Sequence, residues 1–321
     1  MAELLVPLSE IQEEYQKAVS RSPFATVFHR LEWLDTLRAA LGGRIRILVH
    51  PDFYMPLHLK GLWPLRRVYS LDYDTYGGPV PRHRKATGPF QMTPLFGAWD
   101  LVRIVDFHGL LEPVPGMELI DAETQVIYAR GGIGEVRQNY HRSLKKALRK
   151  ARREGVQVET VRTEGQVAVF YHLYQQTTKR LGIHRKPLRL FQEIFRRMVP
   201  NNFATFYLAR HEGQAVAGMV ILKDHRMALA WQEGYRPEAL SLNPVHLLLD
   251  RALEDACQEG IPLFNLGPTP EGREGIRQWK SHFGATTRFF TVLQRIPDHV
   301  RLVQGLRRLW PSNSPKRFPV D

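Results

Sequence analysis

The sequence is poor in the devices that announce many enzyme classes. Its 321 residues hold one cysteine, Cys257, which excludes an internal disulfide framework and leaves too few thiolates for a zinc ribbon. Cys257 falls on the apolar side of an expected helix, where a thiol packs as a small hydrophobe instead of acting as a nucleophile. No apolar run approaches the roughly 20 residues that cross a bilayer. The N-terminus, Met1-Ala2-Glu3-Leu4, lacks the basic-then-apolar order of a secretory signal, so the expected location is the cytoplasm. Thirteen histidines are present, yet none is paired in a His-Glu-x-x-His helix, and His50, His58, His83 and His108 scatter over loops and strand ends; no metal is expected. No serine stands in a Gly-x-Ser-x-Gly elbow, so covalent catalysis lacks a nucleophile.

What is present is positive charge. The 45 Lys and Arg outnumber the 32 Asp and Glu to give a formal +13, a surplus that concentrates polyanions around a protein. Nucleic acid, nucleotide-linked substrates and an anionic membrane surface all fit it, as does a merely solvated basic surface. At 43% hydrophobic residues the chain can build one large core or two ordinary ones.

The second half is the more regular. A helix is expected over residues 135–154, with Val136, Tyr140, Leu144, Ala147, Leu148 and Ala151 at helical spacing and Gly155 stopping it. Its other face carries Arg142, Lys145, Lys146, Arg149, Arg152 and Arg153. A strand at 156–161, helices at 164–181 and 188–198, and three strands at 203–210, 215–223 and 227–233 follow. A helix at 245–259, a strand at 261–266, a short helix near 272–281 and a strand at 285–294 complete the pattern. The first half is less regular: Ser9 and Gln12 suggest a capping box, a helix is expected at 30–41, and strands near 44–50, 101–107 and 124–129. A basic amphipathic helix from 297 to 310 and a loose tail at 311–315 are expected last, the helix docked on the first domain.

Arg130-Gly131-Gly132-Ile133-Gly134 opens the basic helix and has free amides, but its spacing fits neither a Walker loop nor a dinucleotide fingerprint. A bent connection is the simpler reading. It also misses the Arg/Gln-x-x-Gly-x-Gly/Ala loop that holds coenzyme A pyrophosphate. Where that loop belongs, the chain reads Gly234-Tyr235-Arg236-Pro237-Glu238-Ala239-Leu240, short of glycine.

The order strand, helix, helix, three antiparallel strands, helix, strand, helix, strand matches the GNAT acyltransferase fold. Several motifs add a narrower resemblance. They are Tyr76-Gly77-Gly78-Pro79, Ile104-Val105-Asp106, Lys145 to Ala151 running into Gly155-Val156, Thr177 to Gly182, Asn243-Pro244, and Asn265-Leu266-Gly267 leading to Trp279-Lys280-Ser281-His282-Phe283-Gly284. In this order they resemble the FemAB family of peptidyl and aminoacyl transferases, over residues 28–293. The resemblance implies an α/β protein with tandem GNAT-like domains: a degenerate first domain over 1–125, joined by the C-terminal helix 297–321, and an acyltransferase domain over 126–296. It implies direct aminolysis without a cofactor, from aminoacyl-tRNA onto the amine of a UDP-linked or lipid-linked muropeptide; the basic charge adds peripheral contact with an anionic membrane to the candidate partners.

By position the resemblance makes Asp106 the general base, with a turn aspartate as the rival reading, and Lys280 the cleft cation, with an exposed helix residue as the rival. Tyr76, Gly78, Trp231 and Asn243 fall at substrate-binding positions, and Arg38, Arg185 and Arg189 near the substrate diphosphate. Arg142, Lys145, Lys146 and Arg149 would meet tRNA backbone or stand solvated. The chain departs from its relatives in carrying Trp231-Gln232-Glu233 where they carry Tyr-x-Tyr, and in lacking the helical-hairpin arm of longer members. An acyl-CoA-dependent N-acyltransferase and a non-catalytic basic protein binding nucleic acid or membrane are the alternatives.

Overall fold

The apolar periodicities resolve into two compact units in the computed structural model, which describes residues 4–61, 66–72, 75–83, 88–93, 99–296 and 298. One unit takes Met1–Ala122 and Phe289–Asp321, the other Glu123–Arg288. The second unit thus begins close to the expected 126 and ends inside the last strand instead of at 296.

The first unit holds β1 (Leu4–Pro7), α1 (Leu8–Arg21), α2 (Leu31–Leu41), β2 (Arg44–Val49), β3 (Phe53–Lys60), β4 (Arg67–Tyr69), β5 (Val80–Pro81) and β6 (Leu101–Asp106). Its strands run in the order β1-β2-β3-β4-β6, with β5 on β3. β4 and β6 are parallel, pairing Arg67–Tyr69 with Leu101–Arg103. β3 has seven buried positions in eight, so it shows no alternation, and Pro56 at its centre argues against a strand; both features hide it in the sequence. The capping box expected at Ser9 and Gln12 is absent: α1 starts behind Pro7, and Ile11 leaves helical geometry at φ −131°. A reciprocal cap forms instead between Thr26 and His29.

The unit boundaries fall within β7 (Glu118–Tyr128) and within β13 (Thr286–Arg295). From Thr291 to Arg295, β13 pairs antiparallel with Val102–Asp106 of β6.

In the second unit come α3 (Gly132–Gln138), α4 (Arg142–Arg153), β8 (Gln157–Thr160), α5 (Glu164–Leu181) and α6 (Leu188–Arg197). They are followed by β9 (Ala204–His211), β10 (Gln214–Lys223), β11 (Ala228–Tyr235), α7 (Pro244–Gln258), β12 (Leu263–Pro268) and α8 (Glu274–Ser281). Strand order is β7-β12-β11-β10-β9-β8, with β11 and β12 parallel and the rest antiparallel. α5 forms where expected because Thr163 and Gln166 cap it reciprocally and Gly182, at φ +66°, ends it in the left-handed region. The single helix expected over 135–154 is two. His141 is extended, donates its amide to His282 O at 2.8 Å and accepts from Ser143 N, so α4 starts afresh there. The Arg130–Gly134 segment is a bent connection into α3, with Gly132 N bonded to Ala129 O at 3.1 Å. Leu148, Leu248, Leu253, Phe264 and Phe283 are among the side chains forming this unit's core, each contributing about 1.5–3 kcal/mol by burial. Cys257 packs on that core, and burial pushes its thiol up, as expected of packing. The helix expected at 297–310 and the tail at 311–315 lie, apart from Asp298, outside the described residues.

Candidate active site

The site grows from a parting of strands. β11 and β12 pair only at Ala228 with Phe264 and Leu229 with Asn265. Beyond that point β11 stays with β10, while β12 follows β7 through a register shift between Asn265 and Pro268. Backbone groups freed by such a split need other partners. Lys280, from the last turn of α8, supplies them: its Nζ donates to Gly267 O at 2.6 Å, Pro268 O at 3.1 Å and Thr269 Oγ1 at 3.0 Å. An ammonium has three N–H groups, so all are engaged. The side chain is buried, and desolvation lowers its pKa to about 8 against the opposing charges of Glu233 and Glu123.

Around this ammonium the polar chain continues. Thr269 Oγ1 donates to Gln125 Oε1, Gln125 Nε2 donates to Glu123 Oε1 at 3.3 Å, and Arg277 Nε donates to the same oxygen at 2.8 Å. Asn265, fully buried, accepts from Thr124 Oγ1 at 2.6 Å and from Gly267 N at 2.8 Å, which fixes the turn of β12 at Gly267, φ +80°.

Facing this arrangement in charge is Glu233 on β11. Val220 of β10 pairs with Gln232 and Ile221 with Ala230, leaving Trp231 as the extra residue of a bulge that re-aims the strand just before Glu233. Glu233 reaches solvent, yet desolvation is the largest influence on its carboxyl and raises it, with Lys280 and Arg180 pulling the other way. The space at the parting of β11 and β12, where the charges of Lys280 and Glu233 act on each other, is the recess. Next to it Gly234 is obligatory, because a Cβ there would meet Tyr174 N at 2.3 Å and Leu173 C at 2.5 Å. Arg180 lies 4.4 Å over the Tyr235 ring, and Thr177 Oγ1 accepts from Tyr235 N at 2.9 Å, so α5 is clamped to this end of β11.

The residues singled out on sequence divide accordingly. Lys280 is neither an exposed helix residue nor a free cation: its donors are spent inside the protein, and it acts on the recess through its charge. Glu233 was overlooked. The available signal was the one charged residue of the strand Ala-Leu-Ala-Trp-Gln-Glu-Gly-Tyr. Trp231 is buried against Phe191 at 5.7 Å, with Lys186 Nζ 5.5 Å from its ring centre, so it packs the core instead of facing a substrate. Asn243, at φ +56°, sets up Pro244 at the start of α7. Arg185 and Arg189 are exposed at the α5–α6 connection, and Arg142, Lys145, Lys146 and Arg149 are exposed on α4. α4 is held rigidly, since Asp250 of α7 accepts from Arg152 at 2.7 Å, from Arg137 at 3.0 Å and from Tyr140 at 3.1 Å.

In the first unit, Arg38 is exposed and paired with Asp35 at 2.9 Å. Tyr76 and Gly78 are buried: Tyr76 stacks on Phe107 at 4.2 Å, and Gly78 O meets His29 Nε2 at 3.0 Å. Asp106, 1% exposed, accepts from Leu111 N at 2.7 Å and lies among the amides of 108–110; burial raises its carboxyl against them. The bond from Leu111 N is that of a turn aspartate, while Oδ1 is buried without a hydrogen-bond partner among the described residues.

The entrance to α7 is a 3-10 turn, Pro237–Leu242, in which Ala239 N is bonded to Arg236 O at 3.1 Å and Asn243 N to Leu240 O at 3.0 Å, and Pro244 has no N–H; it is not a glycine-rich pyrophosphate loop.

Residues 138–281 match the family of acetyltransferase (GNAT) domains. Those residues carry a GNAT-type acyltransferase domain. No curated protein sequence matches it. Among solved structures, FemX is similar with a TM-score of 0.67 at 12% identity, over 95% of this chain and 99% of that one. The C-terminal domain of a putative lysylphosphatidylglycerol synthetase from Agrobacterium fabrum gives 0.55 at 13%, over 94% and 96%. A tandem GNAT protein from the clavulanic acid biosynthesis pathway gives 0.52 at 13%, over 91% and 98%. At these identities the likeness is one of fold, the mixed α/β architecture of tandem GNAT-like domains, the first degenerate.

Proposed function

We propose that this GNAT acyltransferase is a FemAB-type aminoacyl transferase that works in the cytoplasm, moving an amino acid from aminoacyl-tRNA to the amine of a UDP-linked or lipid-linked peptidoglycan precursor. The observation that carries the choice of donor is the α7 entrance, where the 3-10 turn Pro237–Leu242 and Pro244 stand in place of a glycine-rich pyrophosphate loop, which supports a donor other than coenzyme A. The exposed basic face of α4 supports the same reading, since cations on a fixed helix track a nucleic-acid backbone.

In this reading the acceptor amine attacks the ester carbonyl, and the bond from carbonyl carbon to ribose oxygen breaks. The Glu233 carboxylate takes the proton the amine loses, and the departing ribose oxygen leaves as a hydroxyl after taking a proton. A raised carboxyl is suited to that exchange because its affinity for a proton comes closer to neutrality. The Lys280 ammonium, locked onto β12, favours negative charge in the recess without touching the substrate.

Incubation with charged tRNA and UDP-muropeptide, followed by mass spectrometry, tests it. The expected product is the muropeptide heavier by one aminoacyl residue. Acetyl transfer from acetyl-CoA, with none from charged tRNA, would overturn the proposal.

A further inference from the structure

Leu181 is 53% and Ile183 39% exposed, two aliphatics one residue apart at the end of α5. Leu181 continues the stripe by which α5 packs, through Val167, Phe170, Tyr171, Tyr174, Thr177 and Thr178, but it projects past the end of the core. The connection to α6 is held in place at both ends. Ile183 N donates to Thr178 O at 3.1 Å, Lys186 N donates to Tyr174 OH at 3.1 Å, and Lys186 O accepts from Tyr171 OH at 3.0 Å. The two side chains are therefore presented outward by a fixed scaffold.

Their surroundings are cationic. Lys179, Arg180, Arg185 and Arg189 are all exposed, and no acidic residue occurs between Glu164 and Glu193. Those two flanking carboxylates are already paired, Glu164 with Arg196 and Glu193 with Arg196 and Arg197. The contrast with α4 decides the partner. On α4 the aliphatics Leu144 and Leu148 are buried, and the basic face exposes no aliphatic side chain. A nucleic-acid backbone asks for cations alone, whereas a bilayer surface rewards cations together with aliphatics that enter the acyl boundary.

We propose that the α5–α6 connection, with Leu181 and Ile183 at its tip and Lys179, Arg180, Arg185 and Arg189 around it, is a peripheral docking surface for anionic lipid. No helix among the described residues is long and apolar enough to cross a membrane, so the contact is interfacial. Through Arg180, whose charge acts on Glu233, this surface adjoins the recess, so docking brings the recess to the membrane face.

Sedimentation of the purified chain with vesicles is the test, and it contains neither donor nor acceptor, so it stands apart from the transfer assay. The wild type is expected to pellet with phosphatidylglycerol/phosphatidylcholine vesicles, to stay in the supernatant with phosphatidylcholine alone, and to release as salt rises. The double substitution Leu181→Glu/Ile183→Glu, with an unchanged circular dichroism spectrum, should lower partitioning about tenfold or more. Leu181→Ser/Ile183→Ser, which adds no charge, should lower it several-fold, and Arg142→Glu/Lys146→Glu on α4 should leave it unchanged. Wild-type partitioning in either double variant at positions 181 and 183 would sink the proposal. So would failure of the wild type to bind anionic vesicles, or loss of tRNA binding in place of vesicle binding.

Discussion

Each unit has a parallel strand pair that parts, and the two partings are filled in opposite ways. In the first unit β4 ends at Tyr69, and the space beyond is closed by Tyr76-Gly77-Gly78. A Cβ on Gly77 would lie 2.4 Å from Ser70 O and one on Gly78 2.8 Å from Val105 O, while the Tyr76 ring packs on Phe107, Phe28 and Phe290. In the second unit the parting of β11 and β12 holds Lys280, Thr269 and Gln125, with Glu233 set against them in charge. One geometry thus yields an apolar plug or a charged recess according to the side chains that enter it. The plug fills the first unit's parting with aromatic rings where the second unit's parting holds charge.

The sharpest break of this comparison is the base. Glu233→Gln should lower transfer by about two to four orders of magnitude, the usual worth of a positioned general base, while the melting temperature stays close to wild type. Because burial raises this carboxyl, the wild-type rate should climb with pH through a range above that of an ordinary glutamate, and that limb should vanish in the variant. Rates within threefold of wild type would remove Glu233 from the mechanism.

Lys280 comes next. With its pKa near 8, the ammonium is lost as pH rises past that value, and a reaction that relies on its charge slows there. Stability moves the other way. The folded pKa lies below the unfolded one, so the folded chain binds fewer protons between the two, and the contribution of this group to stability rises with pH across that window. Activity and stability should therefore diverge above pH 8. Lys280→Met should cost about 1–3 kcal/mol by stranding Gly267 O and Pro268 O, along with most of the activity; a pH-rate profile and urea titrations would check both. A flat alkaline limb in the wild type would detach Lys280 from catalysis.

The same contrast marks what the sequence could reveal. Most elements of the second unit were legible, because α5, α6, α7 and the strands of its sheet carry plain periodicities with Gly182, Gly155 and Pro244 as punctuation. In the first unit β3 was hidden by Pro56 and by burial on both faces, and β1, β4 and β5 are too short to show a period. Lys280 was legible from its motif, but not that its donors are spent on β12. Glu233 was hidden because its role depends on a bulge, and a one-residue register shift has no signature in a single strand. The same shift turns Trp231 into the core. The turn role of Asp106 was visible only as one of two readings, since its donors are backbone amides and carry no sequence signal.

Glycine substitutions sharpen the comparison on the side of stability. Gly78→Ala should destabilise the chain by about 1–3 kcal/mol through overpacking against Val105 O, and Gly234→Ala by at least as much against the backbone of α5. Gly275→Ala, in α8 with open space around its Cβ position, should be neutral or stabilising by about 0.5–1 kcal/mol. Thermal melts of the three variants would rank them, and an unperturbed Gly78→Ala would show that the plug is loose.

The smallest effect is expected at Asp106. Its carboxylate organises residues 107–111 by accepting from Leu111 N, and an asparagine keeps an oxygen that can accept the same bond. Burial already disfavours the ionised form, so removing the charge offsets part of what the weaker acceptor loses. Asp106→Asn should therefore shift stability by no more than about 1 kcal/mol and leave the transfer rate within about threefold. The raised folded pKa also makes the wild type lose stability as pH climbs through that carboxyl, a slope the asparagine variant lacks. A rate loss of two orders in Asp106→Asn, with Glu233→Gln unaffected, would reverse the comparison and place the base in the first unit.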